Sequence, residues 1–512
     1  LFGPRLRCNF SSRAAQAQGA SIFLQLAALA GPVASPPEWL QLEPQTAQAE
    51  HMAAAGARVS ADANLEAVAA ERGIKFFLVS FVDVCGVLRS KMVPAAAIKQ
   101  IQKEGAGFAP FAAHQDFGPD APDMVAVPDP STLVQVPFQP GLGFVIGDCY
   151  MEGKPVMDSP RWVLKNAISK ASEAGYEFKT GVEPEFFLLH CEGGSNLLVS
   201  DPADFAPKPC YEAAALMRRY DVLANIVEVL NASGFGVYQA DHEDANGQFE
   251  INWHYADCLT TADRHVYFKW VVKSLAQKHG FLATFMPKPF QSFSGNGCHC
   301  HCSLWRSGAN VFAGGEPLDS RSVGAMEHLG LSELGLQFLG GVLDKAGSFC
   351  ALTNPSVNSY KRLSPMPTVS GSSWAPNRIS FSGNNRTHMV RVPAGDRFEV
   401  RLADGAVNPY LLPAVLLTAG LSGIAKKASP RDYFFLPSVN MYEVPEGAAE
   451  VAALPRLPQN LLDALRAFEA DADFRDCLGP AFSKSFIRMK LAEWEECGRH
   501  LSTWEIKRTL DC

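Results

Sequence analysis

Four short segments of the chain place acids, imidazoles and guanidiniums at two-residue spacing. Residues two apart on an extended chain share a face. In Gly181–Leu189 that puts Glu183 and Glu185 side by side, opposite Val182, Pro184, Phe186 and Leu188. In Gly247–Trp253, Gln248, Glu250 and Asn252 share one face, and Phe249, Ile251 and Trp253 the other. Cys298–Trp305 aligns His299, His301 and Ser303, and Arg397–Leu402 aligns Arg397, Glu399 and Arg401 against Phe398, Val400 and Leu402. Solvated sheet faces usually mix Lys, Thr and Ser, yet none of these polar faces carries a Lys. Carboxylates gathered this closely repel one another unless a cation lies between them. A set made mostly of carboxylate oxygens suits a hard divalent ion, Mg²⁺ or Mn²⁺.

The run Cys298-His299-Cys300-His301-Cys302 has zinc-ligand composition but the wrong spacing. On a strand its Cys and His alternate faces, and zinc ligand pairs usually leave two or more residues between them. The three cysteines are expected to pack as small hydrophobes. Five arginines, Arg362, Arg386, Arg391, Arg397 and Arg401, fall in or beside the polar segments 354–362 and 384–401. Paired guanidiniums hold phosphate or carboxylate bidentately. Neither a Walker loop nor a G-x-G-x-x-G after a strand is present, so a bound nucleotide must be held by metal and arginines.

The elements that position these side chains read as α+β. Ile74–Ser80 and Val87–Val93 flank Asp83-Val84-Cys85-Gly86 as a hairpin, and short strands follow at Leu133–Val136 and Phe144–Cys149. Pro160 opens an amphipathic helix over 161–174. Strands then alternate with helices at 211–233, 262–279 and 327–350, and 460–511 is helical. The 512 residues are 47% hydrophobic, enough for two or three domains with a large core. A net charge of −8 lacks the basic field of a non-specific nucleic-acid binder. No apolar run is long enough for a membrane span. Thirteen irregularly spaced cysteines indicate a reducing compartment rather than a disulfide framework. Arg5, Arg7 and Arg13 precede the first acid, Glu38, so residues 1–50 read either as a plastid or mitochondrial transit peptide or as a disordered tail without an address. In the second case the expectation is a soluble cytoplasmic protein.

Six segments in order resemble the glutamine synthetases: VEPEFFLL, HEDANGQFEIN (242–252), GNGCHCHCSLW, NPSVNSYKRL, NNRTHMVRVP and RFEVRLADGAVNPYL. The similarity spans about residues 73 to 510, nearest to type III glutamate–ammonia ligases and γ-glutamylmethylamide synthetases. It implies an N-terminal β-grasp domain, 65–158, after a targeting or disordered segment and linker, 1–64, and a catalytic domain, 159–512, built as a funnel of antiparallel strands. It implies one divalent ion held by Glu185, Glu243 and Glu250 and a second by Glu183, His299 and Glu399. His301 and Ser303 would lie on the ATP side, with Arg391, Arg397 and the catalytic Arg386 facing phosphates. Arg362 and Arg401 would grip L-glutamate beside Gly295 and Ser294. The expected assembly is a dodecamer of two stacked rings, each site completed by a neighbour.

The departures concern the acceptor amine. The family carries a Glu six residues after the Arg of NSYKRL, and that count reaches Thr368 here. The neighbour's Asp before Gly-Ser-Ser is replaced by Lys103-Glu104-Gly105, which leaves Glu104 to stand in. Ser294 replaces an Asn. The expected reaction is amide formation at the γ-carboxylate of glutamate through γ-glutamyl phosphate, with ammonia as acceptor. The alternatives are methylamine or another amine, and an inactive structural or regulatory relative. Tyr442 lies near the adenylylated tyrosine of bacterial relatives, although an ordinary loop tyrosine is the simpler reading.

Overall fold

The strand Glu177–Glu192 is the axis of the larger sheet, and five other strands hydrogen-bond to it. The computed structural model describes residues 59–194, 196–314, 329–434, 439–445 and 448–512. These all belong to one compact unit, His51–Cys512. The proposed targeting segment lies outside the described residues. No helix among the described residues is long and apolar enough to cross a membrane.

The eleven-stranded sheet runs Val237–His242, Gln248–Trp253, Glu177–Glu192, Cys298–Arg306, Arg397–Val400, Val390–Ala394 and Phe381–Ser382, with four short strands attached off this path. Neighbours along it are antiparallel except the last pair. Phe186, Leu188, Phe249, Ile251, Cys298, Cys300, Cys302, Phe398 and Val400 join one core, so the alternation expected of the four segments holds. The described cysteines are all free. The helix Cys258–Lys278 contributes Phe268 and Val272 to this core. Glu333–Thr353 and Leu411–Lys426 pack against each other closely enough that a Cβ on Gly341 would stand 2.2 Å from the Ala419 carbonyl oxygen.

The smaller sheet runs Leu88–Pro94, Phe76–Val82, Leu142–Met151, Met124–Pro128 and Ala106–Phe108. The hairpin is the one expected from the Asp83–Gly86 turn, with Val87 N–H donating to the Asp83 carboxylate at 2.9 Å. Phe76–Val82 also pairs in parallel with Leu142–Met151, and the short helix Ile98–Glu104 contributes Ile98 to the core beneath.

The helix expected over 211–233 is interrupted. It forms as Ala213–Met217 and Tyr220–Ala232, because Arg219 leaves helical geometry and its guanidinium bonds to Ser200. The acids and acceptors of the 200–204 loop take the arginines at the break, Arg218 pairing with Asp201. The helix expected over 161–174 is present as Pro160–Glu173.

At the start of that helix Arg161, almost fully buried, joins the two sheets' surroundings. Its guanidinium meets Asp148 at 2.7 Å, Asp129 at 2.9 Å and Asp263 at 3.0 Å. Tyr410 donates its hydroxyl to Asp263 at 2.7 Å, and Lys165 takes the second Asp148 oxygen.

Candidate active site

Strand register alone brings the predicted acids together. Glu183 lies opposite His299, Glu185 opposite Glu250, and Glu399 opposite His301 and Arg391. The polar atoms follow. His299 Nδ1 stands 3.6 Å from both Glu183 and Glu399, and its Nε2 3.9 Å from Glu185. His301 Nε2 is 3.0 Å from Glu183. Among the described residues, three groups each offer ligand atoms within 4.8 Å of one another: Glu185, Glu243 and Glu250; Glu183, Glu250 and His299; Glu183, His301 and Glu399. The first is the trio expected from the sequence. The other two split the second expected trio and bring in His301, which sequence reasoning had kept for the nucleotide alone.

The electrostatics of this cluster are uneven. Burial raises Glu243 well above the usual carboxylate range, helped by Glu185 and Asp241. Glu250 is raised by burial and by Glu183 and Glu243. Glu183 is held well below that range by His299 and His301, against the pull of burial. Glu399 is likewise held at about 2, against burial, by Arg401 and the two imidazoles. Arg401 meets Glu399 at 2.5 Å and Arg391 meets it at 2.8 Å. Glu185, Glu243 and Glu250 receive hydrogen bonds from neutral donors: Gln248 and the Gly297 N–H to Glu185, the Asp244 N–H to Glu243, Asn252 to Glu250. His299 Nε2, His301 Nδ1 and one Asp241 oxygen are buried without a hydrogen-bond partner among the described residues. Surplus buried acid with unused ligand atoms fits divalent cations. Gly297 allows this approach, since a Cβ there would come within 2.8 Å of both Glu185 and His299.

Two cavities meet at the cluster. One, about 350 Å³, is lined by Glu183, Glu185, Glu243, Glu250, His299, Arg386, Arg391 and Arg401. The other, about 750 Å³, is lined by Glu183, His301, Ser303, Arg386, Arg391 and Arg397 with Trp253 and Tyr255. It is roomy enough for a small-molecule cofactor or nucleotide. Arg362 sits beside the cluster, its guanidinium donating to the Leu402 and Arg401 carbonyls, in a small recess with Ser294 and Gly295. Ser294 donates to the Asp244 carboxylate, and the Gly295 carbonyl accepts from Gln248. Arg386 is exposed and its carbonyl accepts from Arg401.

Glu104 ends the helix Ile98–Glu104, exposed and hydrogen-bonded by Gln100, and lines neither cavity of its own chain. Thr368 is absent from the cavity walls. Its hydroxyl donates to the Ser372 carbonyl at 2.6 Å, bracing a loop whose Ser370 hydroxyl bonds to Asp244. This loop delivers Trp374 to the cavity of about 350 Å³, and Ser373 with Trp374 to the small recess. Counting six residues from Arg362 misjudged how far the loop runs before it reaches the acids. Tyr211, Asp241 and Asp244 also line the cavity, and sequence reasoning missed them. Asp241 alone had a signal: it lies two residues before Glu243, near the end of the strand Val237–His242. Tyr442 is no free surface acceptor, because its hydroxyl is buried near Arg401 and Arg362.

Residues 157–509 match the family model for the glutamine synthetase catalytic domain. The chain is 48% identical over 450 residues to a glutamine synthetase of Rhizobium meliloti, covering 88% of this chain and 99% of that one. It is 40% identical over 443 residues to a glutamate–methylamine ligase of Methyloversatilis universalis, covering 86% and 97%. A solved structure described as a GmaS/ADP complex superposes with a TM-score of 0.81 at 48% identity, covering 88% of this chain and all of that one. These bacterial relatives lend no support to an organellar address. The chain belongs to the glutamine synthetase family, as an enzyme of the glutamate–ammonia ligase type.

Proposed function

We propose that the chain forms an amide at the γ-carboxylate of L-glutamate at the expense of ATP, with ammonia as the acceptor expected of its family and methylamine as the second reading. The observation that carries the proposal is the convergence of Glu183, Glu185, Glu243, Glu250, His299 and Glu399 between two cavities that share Arg386 and Arg391. Glu185, Glu243 and Glu250 would hold one Mg²⁺ or Mn²⁺, and Glu183, His299 and Glu399 a second, with His301 in reach of it. Bound there, the ions would neutralise charge on the transferring phosphoryl group.

The chain's own groups supply the rest. Arg362 and Arg401 would fix the glutamate beside Gly295 and Ser294. His301, Ser303, Arg391 and Arg397 would hold the nucleotide, with Arg386 over its phosphates. A γ-carboxylate oxygen attacks the terminal phosphorus, ADP departs, and the acyl phosphate is an electrophile that the carboxylate was not. The amine then bonds to the carbonyl carbon, phosphate leaves, and a proton passes to a carboxylate. Each arginine acts electrostatically, where a buried donor counts for most. Methylamine is favoured by one feature: the loop from Leu363 to Trp374 brings no carboxylate to the cavity. Assembly as two stacked rings, with Glu104 entering a neighbour's site, belongs to the same proposal, and Glu104 is free to do so by its exposure.

Phosphate release from ATP with L-glutamate and Mg²⁺, run in parallel with ammonium and methylamine, tests the reading. Glutamate-dependent release with either amine is expected. No release with either, from folded metal-bound protein, would overturn it.

A further inference from the structure

We infer that Trp374 shifts the acceptor preference towards methylammonium, its indole forming an alkyl-facing wall; the inference rests on the ligase reading above, in its methylamine form. Trp374 lines the cavity of about 350 Å³ with Glu185, Glu243 and Asp244, and also the small recess with Gly295 and Arg362. It therefore borders both the carboxylates and the groups that would hold glutamate, where an amine must arrive. Its placement is enforced. Trp374 adopts φ +51°, a conformation rare for a bulky side chain, and its N–H donates to the Ser372 hydroxyl at 3.3 Å. The loop behind it is stapled by Thr368 to the Ser372 carbonyl and by Ser370 to Asp244. Tyr211, also left-handed at φ +63°, lines the same cavity. Strain held by surrounding bonds at a cavity wall is where a functional constraint is expected.

The chemistry of the two amines then differs. Both cations are attracted to an aromatic face, but ammonium trades the hydration of a fourth N–H for a weak N–H···π contact there. Methylammonium has three donors for the carboxylates and a methyl group that carries part of the positive charge. An aromatic face attracts that group.

The test compares full-length parent, Trp374→Glu, Trp374→Ala and Trp374→Phe by kcat/KM for methylamine and ammonium, with thermal unfolding of each. The methylamine-to-ammonium ratio is expected to fall at least tenfold in the Glu and Ala variants and to be largely restored in the Phe variant. An unchanged ratio in Trp374→Glu, with turnover intact, would overturn the inference and leave the ligase reading standing. If the Glu variant fails to fold, an unchanged ratio in Trp374→Ala or a lost one in Trp374→Phe would overturn it equally. A parent that turns over neither amine would overturn the ligase reading and the inference with it.

Discussion

Two buried clusters of charge in this molecule are built from similar residues to opposite ends. Around Arg161, three aspartates face two cations and a phenol, and each acid receives a charged donor. Around Glu250 the cations are unevenly shared: Arg391 and Arg401 both go to Glu399, and Glu185, Glu243 and Glu250 accept hydrogen bonds from amides. In the first cluster every acid already has a charged partner, and the cluster joins elements. The second stays short of positive charge until something else brings it. Burial of charge by itself therefore does not mark a site; the unmet balance does.

The largest effect expected from this contrast is at the hub. Arg161→Leu removes the cation that three carboxylates share, leaving Asp148 with Lys165 and Asp263 with the Tyr410 hydroxyl, and should cost about 3–5 kcal/mol in urea unfolding. A loss below about 1 kcal/mol would remove the distinction, since the hub would then be as tolerant as a surface pair.

A buried neutral group provides the reference for acid effects. Burial lowers His388 to about 4, so the unfolded chain binds its proton first. Stability from this residue is full above about pH 6.5 and is lost as pH falls toward 4, up to about 3 kcal/mol. His388→Gln should flatten the pH dependence of the unfolding free energy in that window. An unaltered slope would exclude His388 as its source.

At the site the expected loss is in activity rather than stability. Glu250→Gln should lower kcat/KM at least ~100-fold, about 2.7 kcal/mol of transition-state stabilisation. Metal-free, the variant should unfold no lower than the parent, since one mutually repelling acid is gone. A destabilised metal-free variant would show the acids to be structurally balanced after all. The smallest effect is linkage: Mg²⁺ or Mn²⁺ at about thirty times its Kd should stabilise the parent by about 2 kcal/mol, and Glu250→Gln by much less.

The contrast also explains what could be read without coordinates. Glu183, Glu185, Glu250, His299 and Glu399 were legible because two-residue alternation is a property of a single strand, and five of the six proposed ion ligands lie on strands that pair in the expected sense. The hub was illegible, because Asp129, Asp148, Arg161 and Asp263 are scattered over more than a hundred positions and share no period. The helix break at Arg219 escaped for a related reason, since its cause is the distant Ser200. Trp374 was missed because a loop's path is set by its staples, here Thr368 and Ser370, and not by a count of residues.

The central strand Glu177–Glu192 carries two of the acids and is hydrogen-bonded to neighbours along its length. Its amide protons can exchange with solvent only when much of the sheet opens. The loop that presents Trp374 has few such ties, among them Val369 to the Ser292 carbonyl. Segments held so differently open at different free energies. Placement of the acids is thus tied to the stability of the whole fold, whereas the acceptor wall rides on a local one. Selection can rewrite the second without endangering the first, and a single scaffold can exchange one amine for another while its phosphoryl chemistry stays put.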